Sequence, residues 1–146
     1  MNDRFEELKQ NLLPRFWDTE KNIMVYPEYD EDDKLFYYDI KNKNGLGVGY
    51  DLDEILLNPR FIPMKPTGLK DKNGNLIYEG DILKNPDFKC LYFLFWDKNL
   101  AKFRLSWQYE EEKYNCDFQR DDRYEIIGNI HENSDLLKWL KPTYTP

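Results

Sequence analysis

Thr67-Gly68-Leu69-Lys70-Asp71-Lys72-Asn73-Gly74-Asn75-Leu76-Ile77-Tyr78-Glu79-Gly80-Asp81-Ile82-Leu83 is the stretch that decides the fold. It sets a short apolar run, Leu76-Ile77-Tyr78, between two turn signals. Asn73-Gly74 predicts a tight turn with positive φ at both positions. Glu79-Gly80-Asp81 predicts a second turn, and Ile82-Leu83 opens the next strand.

The same period extends toward the C-terminus. Cys90 to Trp96 is apolar on both faces, as in a strand buried on both sides. Asp97-Lys98-Asn99 turns the chain. Ala101, Phe103, Leu105 and Trp107 alternate with Lys102, Arg104 and Ser106, so one face is expected to be wet. Glu110 to Lys113 reads as solvated. Tyr124 to Ile130 is a further strand, and Asn133 or Ser134 caps a short helix carrying Leu136, Leu137 and Leu140. The alternation predicts Ile82, Phe95, Phe103, Leu105, Ile126 and Ile130 in the core of this half.

Toward the N-terminus, Phe5, Leu8 and Leu12 fall at helical spacing over Asp3–Leu13, and Pro14 ends the pattern. Phe16-Trp17-Asp18 and Ile23-Met24-Val25-Tyr26 read as strand, polar turn, strand. Glu28 to Lys34 is an acidic loop, Leu35 to Ile40 a strand, Lys41 to Gly49 a turn or a loop, and Asp53 to Leu57 a short helix or an irregular crossing. Pro59, Pro63 and Pro66 stiffen the chain between two halves. The reading is therefore a β-rich region with an N-terminal helix over 1–62, then a second domain over 63–146. Phe16-Trp17-Asp18 and Phe95-Trp96-Asp97 echo one another. Two hairpins, each with an Asp accepting from turn amides, explain the echo more simply than a duplication.

The 146-residue chain has 16% aromatic and 34% charged residues, a mix that fits a small folded protein with a ring-rich core. The formal net charge of -7 has the wrong sign for a phosphate-binding surface. It also argues against an anionic membrane surface. No apolar run is long enough to span a bilayer, and no signal peptide is evident, so a cytoplasmic location is expected. Two cysteines, Cys90 and Cys116, and a single His131 leave no zinc-ligand spacing. No metal or cofactor is expected. The glycine pattern contains no phosphate-binding loop, because Gly45-Leu46-Gly47-Val48-Gly49 leads into no helix that could hold an anion. One His, two unpaired Cys and few Ser give little room for a nucleophile with its base, so an enzyme is not expected.

Three motifs in order resemble the YopX family of phage and prophage proteins. Arg15, Trp17 and Asp18 match an opening element. Thr67, Gly68, Leu69, Asp71, Gly74, Ile77, Tyr78, Glu79, Gly80, Asp81 and Ile82 match a central one. Ile126-Ile127-Gly128-Asn129-Ile130-His131-Glu132-Asn133 with Leu136-Leu137 matches a closing one. The chain departs from the pattern in the helix before Pro14, in the tail after Lys138 and at Pro66, where an aromatic is usual. The resemblance implies a mainly β fold with a small SH3-like barrel in the C-terminal half, and a phage or prophage origin. It implies no reaction. The candidate binding residues are the motif positions Trp17, Asp18, Thr67, Gly68, Asp71, Gly74, Tyr78, Glu79, Gly80, Asp81, Gly128 and Asn129. Turn amides explain Asp81 with less than a ligand does, and backbone conformation does the same for the glycines.

These readings converge on an accessory protein acting as a non-enzymatic protein-binding module in the host cell. Its expected partner is a host or phage protein, with no nucleic acid and no membrane. Acidic runs at Glu28–Asp33, Glu110–Glu112 and Asp121-Asp122 open an alternative, an inhibitor that imitates nucleic acid. A carboxylate hydrolase is a third reading. An apolar strand edge near Leu91–Phe95 would make the chain a homo-oligomer.

Overall fold

The chain is mainly β. The computed structural model describes residues 11–39 and 49–137. The helix expected from Asp3, the Lys41–Gly49 loop and Leu140 lie wholly or largely outside the described residues. The chain divides into two compact units, Met1–Lys65 and Pro66–Pro146.

The first unit is an antiparallel sheet of β1 (Arg15–Asp18), β2 (Ile23–Tyr29), β3 (Leu35–Asp39), β4 (Tyr50–Asp51) and β5 (Phe61–Met64), in the order β4-β3-β2-β1-β5. Helix α1 (Leu52–Leu57) starts at Asp51, whose carboxylate accepts from the Glu54 amide at 2.8 Å. Phe16, Val25, Tyr37, Tyr50, Ile55 and Phe61 form one cluster, and Trp17, Met24 and Met64 form another. The proline-rich stretch is more than a connector. Phe61–Met64 pairs along β1 with Pro63 opposite Phe16. An edge strand tolerates a residue with no amide to donate.

The second unit opens with the hairpin β6 (Pro66–Lys70) and β7 (Leu76–Tyr78). It continues as β8 (Asp81–Lys84), β9 (Leu91–Asp97), β10 (Lys102–Tyr109), β11 (Glu112–Asp117) and β12 (Glu125–Asn129), ordered β11-β10-β9-β8-β12. Each five-stranded sheet thus runs fourth, third, second, first, fifth in its own chain order. Ile82 and Leu105 are buried, while Phe95, Phe103, Ile126 and Ile130 pack half-buried against the two clusters of this unit.

Three expectations change here. Strand β9 lies between β8 and β10, so Leu91–Phe95 offers no open edge. Ser106 is buried and Arg104 is mostly covered, so of the three residues of the expected wet face only Lys102 is exposed. The Asn133 side chain accepts from the Asn129 amide at 3.1 Å, and a 3-10 turn, Ser134–Leu137, follows.

The hairpin turns obey two templates set by Asp. In the first, Asp71 Oδ1 accepts from the amides of Asn73 and Asn75. The Gly74 amide donates to the Asp71 carbonyl, and the Asp71 amide donates to the Asn75 carbonyl. Positive φ belongs to Gly74 (84°) and not to Asn73. This is a three-residue loop ending in a left-handed residue, where the sequence suggested a two-residue one. Asp30 repeats every one of these bonds with Asp32, Asp33 and Lys34, and Asp33 (59°) stands where Gly74 does. In the second template Asp18 Oδ1 accepts from Glu20 and Lys21, and Asp97 Oδ1 accepts from Asn99 and Leu100. Asn22 and Ala101 are the left-handed residues that close these loops.

The β10–β11 turn breaks the pattern. Tyr109 pairs with Glu112, so only Glu110 and Glu111 form the loop, at φ 47° and 71°. Such a turn favours Asn-Gly, and a side chain in this region is strained. Replacing Glu110 by Asn and Glu111 by Gly is expected to raise unfolding free energy by about 1–2 kcal/mol, read as a higher denaturant midpoint.

Tyr37 gives a pH prediction. Its hydroxyl donates to the Pro14 carbonyl at 3.1 Å, and burial pushes its pKa from 10.0 up to about 12. A raised folded pKa means that this contribution is whole below pH 10 and is lost as pH climbs toward about 12. Tyr37→Phe removes the ionisable group along with its hydrogen bond. Its stability deficit near neutral pH should therefore shrink across that alkaline window in paired denaturation curves.

Candidate functional site

The motif residues fall at four places. Trp17 and Asp18 end β1 in the first unit. Asp18 is fully buried, and its carboxylate faces the Arg60 guanidinium at 3.2 Å. Arg60 also bonds Glu20 and Tyr50 and lies over the Phe61 ring, 4.6 Å from its centre. The neighbouring carboxylates outweigh desolvation, so the Arg60 pKa is raised. Asp18 is therefore engaged by the amides of its own turn and by Arg60, 42 residues away.

Thr67, Gly68, Asp71 and Gly74 shape β6 and its turn. The Thr67 hydroxyl donates to the Ile77 carbonyl at 2.8 Å and accepts from the Leu69 amide, and Gly68 takes a positive φ beside it. Asp71 reaches furthest. Its Oδ2 accepts from the Ile126 amide at 3.0 Å, and the Lys72 amide donates to the Tyr124 carbonyl. One carboxylate thus closes its own turn and fastens it to β12.

Tyr78, Glu79, Gly80 and Asp81 form the next turn. Gly80 (φ 89°) occupies the position where a type II turn needs a left-handed residue. Its amide donates to Leu94 and its carbonyl accepts from Ile130. Asp81 is fully buried and accepts from the Tyr78 amide at 2.8 Å. Glu79 is buried as well.

Gly128 and Asn129 end β12, opposite Ile82 and Asp81. A Cβ on Gly128 would overlap the Asn133 side chain. Asn129 Oδ1 accepts from the amides of His131 and Glu132, and its Nδ2 donates to Glu132. The central and closing motifs therefore meet along β8 and β12. The side chains of Asp71, Asp81 and Asn129 accept from turn amides there. Among the described residues no group of three or more His, Cys, Asp or Glu side chains is arranged to hold a metal. No described helix is long and apolar enough to cross a membrane.

The surface with most to offer a ligand carries none of the motif residues. Phe88, Tyr92, Trp107 and Tyr114 form a chain of ring contacts across β9, β10 and β11. The centroids are 6.3, 5.4 and 5.7 Å apart. Phe88 is 57% exposed and Tyr114 40%, and Tyr109 nearby is 60% exposed. Glu110, Glu111 and Glu112 border this strip and are exposed. Tyr92 is its buried floor. Desolvation, then a hydrogen bond with Cys90, raises the Tyr92 hydroxyl well above its ordinary pKa. Burial also raises the Cys116 thiol, the wrong direction for a thiolate nucleophile. The alternation of β10 placed Phe103 and Leu105 in the core. Strand β11 has no sequence signature, because Glu112-Lys113-Tyr114-Asn115 lacks an apolar period, and only the pairing with β10 brings Tyr114 to Trp107.

Asp71→Ala is expected to cost about 2–4 kcal/mol, because several amides lose a charged acceptor at a buried site. Denaturant melts check this. Exchange protection should fall at Ile126 as well as within the 71–75 turn.

The family model for YopX protein matches residues 15–138. No curated protein matches the chain. Among solved structures, the crystal structure of protein EF1440 from Enterococcus faecalis is 30% identical, with a TM-score of 0.47. That match spans 87% of this chain and 99% of the other.

Proposed function

The chain belongs to the YopX family, and from that premise we propose that it is a phage or prophage accessory protein that binds another protein and catalyses no reaction. The observation that carries this reading is the aromatic strip Phe88–Tyr92–Trp107–Tyr114, exposed at Phe88 and Tyr114, with its carboxylate border. Rigid aromatics supply contact area at low entropic cost. The carboxylates beside them suit a partner segment bearing Arg or Lys, which also stacks on rings. The five-stranded meander of the second unit, extended by β12 on β8, supports the SH3-like barrel that the resemblance implies. Fold alone names no ligand. The site of action is the host cytoplasm.

The nucleic-acid-mimic reading is weaker. Asp30, Asp97 and Asp121 in the acidic stretches and turns accept from local amides, and Arg123 and Arg104 stand against two of them. A mimic needs its charges free and regularly spaced.

Affinity capture from host cells with wild-type protein and a Phe88→Ala/Tyr114→Ala variant tests the proposal. Both positions are exposed, so the variant should keep its melting midpoint and lose the captured partner. An identical set of captured proteins would overturn the role of the strip. Submicromolar duplex DNA binding by the isolated chain would overturn the protein-binding reading.

A further inference from the structure

We infer that β11 is a self-complementary edge through which two copies of this chain pair antiparallel. Among the described residues, β11 ends the sheet of the second unit and has no strand beyond it. The other end is protected, since Asp71 takes the Ile126 amide and Lys72 takes the Tyr124 carbonyl beside β12. Strand β11 has no Pro or Gly, and five of its six residues are exposed. Its charged side chains, Glu112, Lys113 and Asp117, oppose pairing with an arbitrary strand and favour a partner of matching charge order.

The hairpin fixes which backbone groups point outward. Tyr109 opposes Glu112 across a two-residue loop, and the Phe118 amide donates to the Phe103 carbonyl at 3.0 Å. Antiparallel bonding alternates. Glu112, Tyr114 and Cys116 therefore bond inward to β10, while the amides and carbonyls of Lys113, Asn115 and Asp117 point away from the sheet.

A second β11 can use all of these outward groups in one register only. Asn115 then faces Asn115 on a two-fold axis, and Lys113 faces Asp117 of the second copy at both ends. Shifting the pairing by two residues loses an outward pair and sets Lys113 against Asn115. Backbone geometry selects this register, and it brings Lys113 to an Asp117 carboxylate that also meets Lys102 and Arg104 of its own chain. The arrangement is isologous, as a closed dimer requires. Strands other than β9 thus carry the association, which corrects the edge named from the sequence. The inference does not depend on the aromatic strip having a partner.

Light scattering and sedimentation of the full chain across a concentration series provide the test. The mass should rise from 17.8 kDa toward twice that value. Asn115→Pro removes the axial amide, whose only role is between chains. It should stay monomeric with an unchanged far-ultraviolet spectrum. A second variant guards against misfolding. In a Cys90→Ser/Cys116→Ser background, Asn115→Cys brings two thiols together across the axis, at a Cα separation of about 5.5 Å. It should oxidise to a reducible dimer, and Lys113→Cys should not. A wild-type mass fixed at 17.8 kDa, a dimer that survives Asn115→Pro, cross-linking at 113 in place of 115, or a β11 edge that takes up only a different protein would each overturn the inference.

Discussion

A short carboxylate accepting from the amides two to four residues ahead is the interaction on which the rest of this structure depends. Antiparallel sheets joined by short loops leave turn amides with no strand partner, and each must bond or be solvated. Asp supplies the acceptor at Asp18, Asp30, Asp71 and Asp97, and Asn does so at Asn58, Asn85 and Asn129. Fixing the turn fixes the register, and register decides which face of each strand is buried. The ring clusters on both sheets are downstream of that choice.

This constraint also accounts for much of the acidity. Many carboxylates that give the chain its net charge of -7 are pointed at backbone amides or paired with Arg. Charge counted from composition therefore overstates the charge offered to a partner. Glu110 and Glu111 stand apart, exposed on a turn that no Asp stabilises and that holds both in the left-handed region. The weakest turn chemistry lies beside both the open edge and the aromatic strip.

The sequence was legible wherever one short segment carried its own reason. The 67–83 stretch announced its two turns because Gly74 and Gly80 answer a local backbone need. The paired Phe-Trp-Asp segments announced two hairpins of one design for the same reason. Yet Asp18 joins the first and second strands of its sheet, whereas Asp97 joins the second and third of its own. The echo is turn chemistry used twice and does not mark equivalent positions. The shared strand order of the two sheets carried no sequence signature, since pairing depends on contacts far apart along the chain. Arg60 illustrates the same limit. Nothing near it in sequence foretells a partner at Asp18 42 residues away.

The motif residues raise a different point, about what a recurring pattern records. Gly128 has no room for a side chain because Asn133 folds back over it to meet the Asn129 amide. Asp71 must be acidic and short because it serves three amides on two segments at once. Both positions answer a need of the fold. A scaffold held by its turns leaves its strand faces and edges free to vary. Recognition in this chain is then to be sought where the pattern is silent, at Phe88, Trp107, Tyr114 and Asn115, on the strands that those turns position.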